Sequence, residues 1–239
     1  MKKLTTLTKS GLVLAMAAAL AACGGDDDND NTQADRSFEV KVTNMTAGQP
    51  LSPTALVVHD SGYSLFNVGD MASEALEKLA EGGDNSDLIA AADANGHVFS
   101  TSSAAGVLVP GGSETFTLTV QGSQVSSAQL SAVTMLVNTN DAITALQGAS
   151  LADLASGESM SFNTQSYDTG TEANSESAAT IPGPAGGGEG FNAARDDIAD
   201  MITMHSGVVT ADDGLTGSAL NEMHRWDNPV TRITITRTQ

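Results

Sequence analysis

The segment SAVTMLVNTND, residues 131–141, carries the clearest structural signal in the chain. Its first seven residues include an alternating apolar run, and its last four are short polar residues. Alternation with a period of two predicts a β-strand, and the Asn, Thr and Asp that follow predict a polar loop. The segment MSFNTQSYDTGTE, residues 160–172, repeats this order, with a strand that begins at MSFN and a loop at YDTGTE. The chain therefore contains two strands that end in acidic loops.

Three carboxylates stand in these two loops: Asp141 in the first, and Asp168 and Glu172 in the second. If the strands lie close together in one sandwich, the three carboxylates converge. Carboxylate oxygens, supplemented by backbone carbonyls and water, are the ligands that calcium requires. Asn, Asp and Gly are equally typical of ordinary turns, in which they serve only to reverse the chain. The residues alone leave both interpretations open.

The two blocks MLVNTND (135–141) and SYDTGTE (166–172) resemble the spondin N-terminal domain, the module of F-spondin and mindin. Further segments resemble the same family in the same order: FEVKVTNMT (38–46), QPLSP (49–53), IP (181–182) and NPVTRITITR (228–237). The resemblance covers nearly everything from Phe38 to the C-terminus. Its specificity comes from the order and spacing of the segments together, because no single segment is decisive.

This resemblance implies a mainly β protein, an antiparallel β-sandwich of the kind used by calcium-dependent membrane-binding modules, with a few short helices in the connections. It also implies one calcium ion held by Asp141, Asp168 and Glu172, which fall on the family's ligand positions. The sequence departs from the family pattern twice. Glu172 stands where Asp is usual, and Ala142-Ile143 replaces an aromatic pair. The Asp-to-Glu change preserves a carboxylate ligand.

The N-terminus predicts export and lipid attachment. Residues 1–22 combine three lysines with a short apolar run and small residues, as a signal peptide does. The sequence Leu20-Ala21-Ala22-Cys23 is similar to a bacterial lipobox, and Cys23 is the single cysteine of the chain. Lipidation of Cys23 would anchor the protein to a membrane without spanning it. Gly24 after the cysteine favours the outer membrane, with the domain facing the periplasm or the cell surface.

Residues 23–36 are rich in Asp and Asn and poor in apolar residues, so we expect a flexible tether before a single domain over residues 37–239. The whole chain has a net charge of −19, and removal of the signal peptide makes it more acidic. Such a charge argues against nucleic-acid binding and against unaided contact with anionic lipid. With one cysteine there is no internal disulfide, so the core must hold the domain together.

Apolar periodicity and turn residues place the other elements. Predicted strands cover 37–45, 55–59, 106–109, 113–120, 129–137 and 230–236. Predicted helices cover 72–81, 86–92 and 191–204. We expect residues 141–157 to form a long loop with a helical piece at 151–154, and residues 173–189, rich in Ser, Ala, Gly and Pro, to form a mobile loop.

Enzyme signatures are weak. His59-Asp60-Ser61 places the residue types of a catalytic triad side by side, but a triad assembles from separate elements. The sequence lacks a Gly-x-Ser-x-Gly elbow and a His-Glu-x-x-His zinc helix. We therefore expect a non-catalytic adhesion or interaction module whose partner is an envelope or extracellular protein or a glycan. The alternative is a hydrolytic or carbohydrate-binding lipoprotein that uses the loops around Trp226, the single indole, although Trp226 is also suited to anchoring the last strand.

Overall fold

The computed structural model describes residues 33–239, so the predicted signal peptide, Cys23 and most of the predicted tether lie outside the described residues. The folded region begins slightly before the predicted boundary at residue 37. Arg36 is the first residue of a strand, and the Asp35 side chain accepts a hydrogen bond from the backbone N–H of Gly122 at 2.8 Å. In residues 33–239, no helix has the length and apolar character that crossing a membrane requires.

The predicted mainly β architecture with short helices is confirmed. Nine strands and two α-helices follow one another as β1 (Arg36–Asn44), β2 (Ala55–His59), α1 (Glu74–Gly82), α2 (Ser86–Asp93), β3 (Val98–Ser103), β4 (Ser113–Val120), β5 (Gln129–Met135), β6 (Ala142–Ser150), β7 (Ser159–Asp168), β8 (Thr203–Met204) and β9 (Thr231–Arg237). Short 3₁₀ helices cover Ala211–Asp213 and Glu222–His224.

The strands pair antiparallel in the order β3-β2-β5-β6-β7-β9-β1-β4, with β8 also paired to β7. The long strand β7 belongs to both halves of this sheet, because residues 159–164 pair with β9 and residues 165–168 pair with β6. Leu51 forms backbone bridges to Leu108 and Leu136, which connect the segment before β4 with the segment after β5. The result is a sandwich-like sheet that is nearly closed into a barrel.

Two apolar layers fill this architecture. The larger lies between the two halves of the sheet and includes Phe38, Val40 and Leu130. The second lies between the outer face of β2, β5 and β6 and the two helices. Strand β2 contributes Leu56 to the first layer and Val57 to the second, which explains its continuous apolar sequence. By contrast, β1 alternates buried and exposed residues as predicted.

Two predicted elements are wrong. The expected loop over residues 141–157 is largely strand β6, whose first four residues are all buried, so that no alternation marks them. The expected helix over residues 191–204 is irregular apart from β8, and Ile198 within it is 101% exposed. Short polar side chains in this segment cap backbone groups instead: the Asn192 side chain accepts the Ala194 N–H, and Asp196 accepts the Ala173 N–H.

Smaller differences concern the sheet edges. The predicted strand at 106–109 is reduced to the single bridge at Leu108. Strand β3 was not predicted, because its sequence VFSTSS has few apolar residues and its side chains are only half-buried. The expected loop at 173–189 has no helix or strand, yet it buries Glu176 and Ile181 against the domain.

Candidate metal centre

Asp141 is the most buried acidic residue of the predicted site. It lies in the turn between β5 and β6, and its side chain is 0% exposed. One carboxylate oxygen, Oδ2, accepts hydrogen bonds from the Thr169 hydroxyl at 2.9 Å, the Thr171 backbone N–H at 2.8 Å and the Glu172 backbone N–H at 3.2 Å. The other oxygen, Oδ1, is buried and has no hydrogen-bond partner among residues 33–239.

Buried polar side chains hold this turn in place. The Thr139 hydroxyl donates to the Leu136 carbonyl at 2.6 Å and accepts the Ala142 N–H at 3.1 Å, which closes the turn locally. The Asn138 side-chain amide donates to the Gly48 carbonyl at 2.9 Å, so a segment distant in sequence fixes the same turn. Because buried polar groups are costly unless they are bonded, this network restricts Asp141 to one position.

Strand pairing brings Asp168 beside Asp141. Asp168 is the last residue of β7 and lies opposite Ala142, the residue that follows Asp141. It is half-buried, and its Oδ1 accepts the Gly170 N–H at 2.9 Å. Gly170 has a φ of +69°, and a Cβ at that position would lie 2.5 Å from the backbone nitrogen of Met201. The loop after β7 can therefore follow this path only with glycine at position 170.

Glu172 is linked to Asp141 by a backbone hydrogen bond and by electrostatic repulsion. Its N–H donates to Asp141, and the residue is 8% exposed. Burial, together with the charges of Glu81, Asp141 and Asp196, raises the pKa of Glu172 to about 8. Burial and the neighbouring charge of Asp168 raise the pKa of Asp141 to about 7. Both shifts have the same physical origin, because like charges in a desolvated region disfavour the ionised form.

The structure therefore brings all three predicted residues into one acidic region. It does not bring them into a preformed cage, since no three His, Cys, Asp or Glu side chains of residues 33–239 are grouped so that they could hold a metal ion. The residues fit a calcium ion in their chemistry: all three offer carboxylate oxygen, and Asp141 Oδ1 is buried without a partner. Ligation would require backbone or water oxygens in addition, and movements of the side chains that bring the carboxylates together.

Sequence analysis did not identify two further groups in this region. Glu77 and Glu81 lie four residues apart on α1 and are buried. Their sequence signal is their position next to the apolar residues Leu76 and Ala80. His205, after β8, is also buried. Its Nδ1 accepts the Gly207 N–H at 2.9 Å, while burial lowers its pKa against the opposing charge of Asp168.

The residues considered for catalysis or glycan binding make hydrogen bonds within the domain. His59 is buried, and its ring nitrogens lie 2.7 Å from the Asp60 carbonyl oxygen and 2.7 Å from the Ser131 hydroxyl. The Asp60 carboxylate contacts the ring of His97 at 2.9 Å, not that of His59. Trp226 is half-buried, with its indole N–H donating to the Ser166 hydroxyl at 3.1 Å. These contacts do not arrange His59, Asp60 and Ser61 as a catalytic triad.

Comparison with known proteins agrees with this architecture. No protein with curated annotation matches the chain. The Spondin_N family matches residues 45–182, a region that contains Asp141, Asp168 and Glu172. This family is not known for enzymatic activity, and its members point to an extracellular interaction module. The match extends over more than half of the chain, which therefore belongs to the spondin N-terminal domain family.

Proposed function

We propose that this protein is a calcium-binding, non-catalytic interaction module that a lipid on Cys23 holds at the cell envelope. The observation that carries the calcium assignment is the buried Oδ1 atom of Asp141, which has no partner within the described residues. A buried carboxylate oxygen without a donor is costly unless a proton or a cation compensates it. Asp168 and Glu172, adjacent in space, favour a cation because together they concentrate negative charge.

Calcium suits this site better than magnesium. The ligands that the three carboxylates offer come from a turn, a strand end and a loop, which differ in direction and in freedom to move. Calcium accepts six to eight oxygens in irregular arrangements, at about 2.3–2.6 Å, whereas magnesium requires nearly ideal octahedral geometry. We therefore expect a single calcium ion at Asp141, Asp168 and Glu172, completed by backbone or water oxygens.

An exposed apolar surface beside the metal centre supports the interaction role. Residues 67–71 and 198–204 are joined by two backbone hydrogen bonds of 2.8 Å, between Gly69 and Ile202 and between Ile202 and Asp70. Large apolar side chains project from these two segments into solvent: Val68, Met71, Ile198, Met201 and Met204. An ordinary protein surface exposes large apolar residues singly, whereas here five lie on two joined segments. This group fits a protein or glycan partner in the envelope.

The lipid anchor rests on the lipobox around Cys23 and has a simple test. Metabolic labelling with a fatty acid should mark the wild-type protein and leave Cys23→Ser unmarked. Labelling of the variant would contradict the assignment. The predicted outer-membrane location is tested in the same cells by fractionation.

The calcium assignment is tested on the full chain purified in mild detergent. After treatment with a chelator, calcium chloride should raise the melting midpoint and give a saturable calorimetric titration, while magnesium chloride should do neither to the same extent. Asp141→Asn should remove the response. If calcium produces no heat of binding with the wild type and does not raise its melting midpoint, calcium binding is refuted. The two loops are then ordinary acidic turns.

The interaction role is tested separately by capture from cell-envelope extracts with and without calcium. Capture that disappears in a chelator and in Ile198→Ser, while Ile198→Ser still binds calcium, would connect the apolar surface to the partner. Capture by the wild type that is equal with calcium and in the chelator would contradict the calcium dependence. Turnover abolished by His59→Ala in a hydrolase screen would instead favour an enzyme.

A further inference from the structure

Strand β4 lies at one end of the strand order and has an open edge. It pairs with β1 alone, and among residues 33–239 no backbone hydrogen bond joins residues 113–120 to another strand. The sequence of β4, SETFTLTV, contains no lysine or proline, the residues that commonly protect such an edge from further pairing. The edge is therefore able to accept an additional strand.

The register with β1 identifies the backbone groups of this edge. The Asn44 N–H donates to the Gly112 carbonyl at 3.0 Å, whereas Ser37, which lies opposite Thr119, uses its N–H and carbonyl to bond residues 238–239. Because hydrogen-bonded and non-hydrogen-bonded pairs alternate along an antiparallel ladder, every second residue of β4 directs its N–H and carbonyl away from β1. These outward-facing residues are Ser113, Thr115, Thr117 and Thr119, and all four are exposed.

A cavity of about 550 Å³ lies beside the first half of β4. Its walls are residues 103–109, from the end of β3 and the connection after it, and residues 112–116. Val107 and Val109 are 57% and 61% exposed at this cavity, and Phe116 is half-buried. The cavity therefore offers apolar contacts to the side chains of a segment that pairs with β4.

One carboxylate, that of Glu114, lines this cavity. Glu114 is half-buried, and it accepts a hydrogen bond of 2.6 Å from the Thr54 hydroxyl. Within residues 33–239 it forms no ion pair. Burial raises the pKa of Glu114, as expected for a carboxylate without a neighbouring cation. A cationic group bound in the cavity would compensate this charge.

We infer that the free edge of β4 binds one extended segment of a partner protein as an added strand, and that Glu114 selects a segment with a Lys or Arg side chain. The added strand forms its backbone hydrogen bonds with the four outward-facing residues and places side chains in the cavity. An inward-pointing charge at a sheet edge disfavours the addition of an apolar strand. A Lys or Arg opposite Glu114 removes that obstacle, so one carboxylate provides both affinity and specificity.

The chain itself does not supply this cation. Residues 24–32 contain no Lys or Arg, and neither does β4, so pairing of two copies through β4 brings no basic residue to Glu114. The net charge of −19 also opposes association between copies and favours a basic partner. The inference goes beyond the proposed function, because this edge is separate from the apolar surface of residues 67–71 and 198–204 and does not use the proposed calcium ion.

Selection from a phage-displayed library of random nonapeptides tests the specificity of the edge. On the full chain in mild detergent and a chelator, peptides selected by the wild type should be enriched in Lys or Arg at one position, and those selected by Glu114→Gln should not. Gln keeps an acceptor for the Thr54 hydroxyl, so the fold should be retained. Glu39→Gln is the matched control, because it removes a charge from the exposed side of β1, and it should select the same peptides as the wild type. A basic preference that is absent, or that persists in Glu114→Gln, would overturn the proposal.

Amide hydrogen exchange locates the bound peptide without any substitution. The most enriched peptide, made synthetically, should slow the exchange of the four outward-facing N–H groups by about tenfold or more. The N–H groups of Glu114 and Phe116 serve as the internal control, since they already bond β1 and should change little. Protection confined to other parts of the chain, or no protection, would contradict strand addition at β4.

A proline substitution tests the backbone pairing directly. Thr117→Pro removes an outward-facing N–H without removing a bond to β1, so it should weaken peptide binding by about tenfold or more, whereas Thr117→Val keeps the N–H and should bind as the wild type does. Equal binding by the two variants, at unchanged melting midpoints, would refute edge pairing. If the midpoint of Thr117→Pro falls, the exchange measurement decides.

The two proposals fail in different ways. Peptide binding at β4 should be the same with calcium and in a chelator. A wild type that binds no calcium but shows the basic preference and the protection of β4 would refute the proposed calcium site and leave this inference intact. A wild type that binds calcium and lacks both would do the reverse.

Discussion

The apolar interior of the sandwich and the acidic end of the domain are both buried, but they are stabilised in opposite ways. In the interior, Phe38, Val40 and Val42 alternate along β1 and pack against residues of similar chemistry. At the acidic end, around Asp141, Asp168 and Glu172, Asp141 and Thr171 are equally buried, and the Asp141 carboxylate accepts the backbone N–H of Thr171 from a different segment. The interior tolerates any well-packed apolar group, whereas the acidic end requires particular atoms in particular places.

This difference has a functional consequence. Apolar burial stabilises the fold under all ionic conditions, because it depends on area removed from water. At the acidic end, burial raises the pKa of Asp141 and of Glu172, so we expect its stability to depend on pH and, with calcium bound as proposed, on that ion. Four predictions separate the two regions, beginning with the largest expected effect.

Truncation of the interior should be costly and independent of calcium. Phe38 is 0% exposed, and Phe38→Ala is expected to reduce the free energy of unfolding by about 3–5 kcal/mol. Its neighbour Glu39 points to solvent, so Glu39→Ala is the matched control and should change stability by less than about 0.5 kcal/mol. Urea denaturation with calcium and with a chelator measures both. A calcium-dependent cost at Phe38 would mean that the two regions are not separate.

The effect of Asp141→Asn on the free energy of unfolding should change sign between calcium and a chelator. Calcium at a hundredfold excess over Kd should stabilise the wild type by about 2.7 kcal/mol, and Asp141→Asn and Asp168→Asn should each remove most of this gain. In a chelator, Asp141→Asn should be no less stable than the wild type, because it removes a charge whose burial is unfavourable. Thermal melting under the two conditions measures this reversal.

Variants at Glu172 and Asp212 complete that series. Glu172→Gln should weaken the calcium response, while Glu172→Asp, which restores the usual residue of the family, should retain it. Asp212→Asn is the control, since Asp212 is exposed in a different segment. A response lost in Asp212→Asn, or kept in full by Asp168→Asn, would refute the placement of the ion.

Acid should stabilise the domain through Glu176, which lies outside the metal centre. Burial raises the pKa of Glu176 to about 7, although its side chain accepts the Val209 N–H at 3.0 Å. Since the folded pKa exceeds the unfolded one, the stabilisation is present at low pH and is lost as the pH rises through about 7. Between about pH 5.5 and pH 7.5 the loss should be about 2 kcal/mol.

Glu176→Gln should remove this pH-dependent component. Urea denaturation of the variant and the wild type in a chelator isolates it, because the other carboxylates titrate in both proteins. Identical pH profiles would show that Glu176 ionises in the folded state as readily as in the unfolded chain.

Substitutions of glycine should have the smallest effects on stability. They separate the cost of a strained backbone conformation from the cost of a steric clash. Gly170 has a φ of +69° and lies against the Met201 backbone, whereas Gly69 has a φ of +94° and a Cβ added there would meet nothing within 4 Å. Gly69→Ala should cost about 1 kcal/mol through backbone strain alone, and Gly170→Ala about 2 kcal/mol because the collision adds to the strain. Thermal or urea denaturation of the two variants measures the difference. Equal costs would indicate that the loop after β7 moves away from Met201 without penalty.

Much of this protein was predictable from local patterns. Alternation identified β1, β5 and β9, continuous apolar character identified β2, and helical spacing before Gly82-Gly83 identified α1. The family and the sandwich-like architecture followed from the order of short segments around Asp141 and Asp168, and the family assignment is confirmed. These features are predictable because each depends on the periodicity of a single element or on a contiguous motif.

Other features depended on contacts between distant segments. Strand β6 escaped prediction because its first residues are buried on both faces, which removes the alternation that marks a strand. The segment 191–204 has helical spacing, but Arg195 and Asn192 bind Glu77 and Glu81 on α1, and these tertiary contacts replace the helix. The burial of Glu81 beside Glu172 also arises only when the chain is folded, because residues 91 positions apart in sequence have no local pattern in common. Periodicity reports which face of an element is apolar, while the positions of buried charges depend on which elements meet.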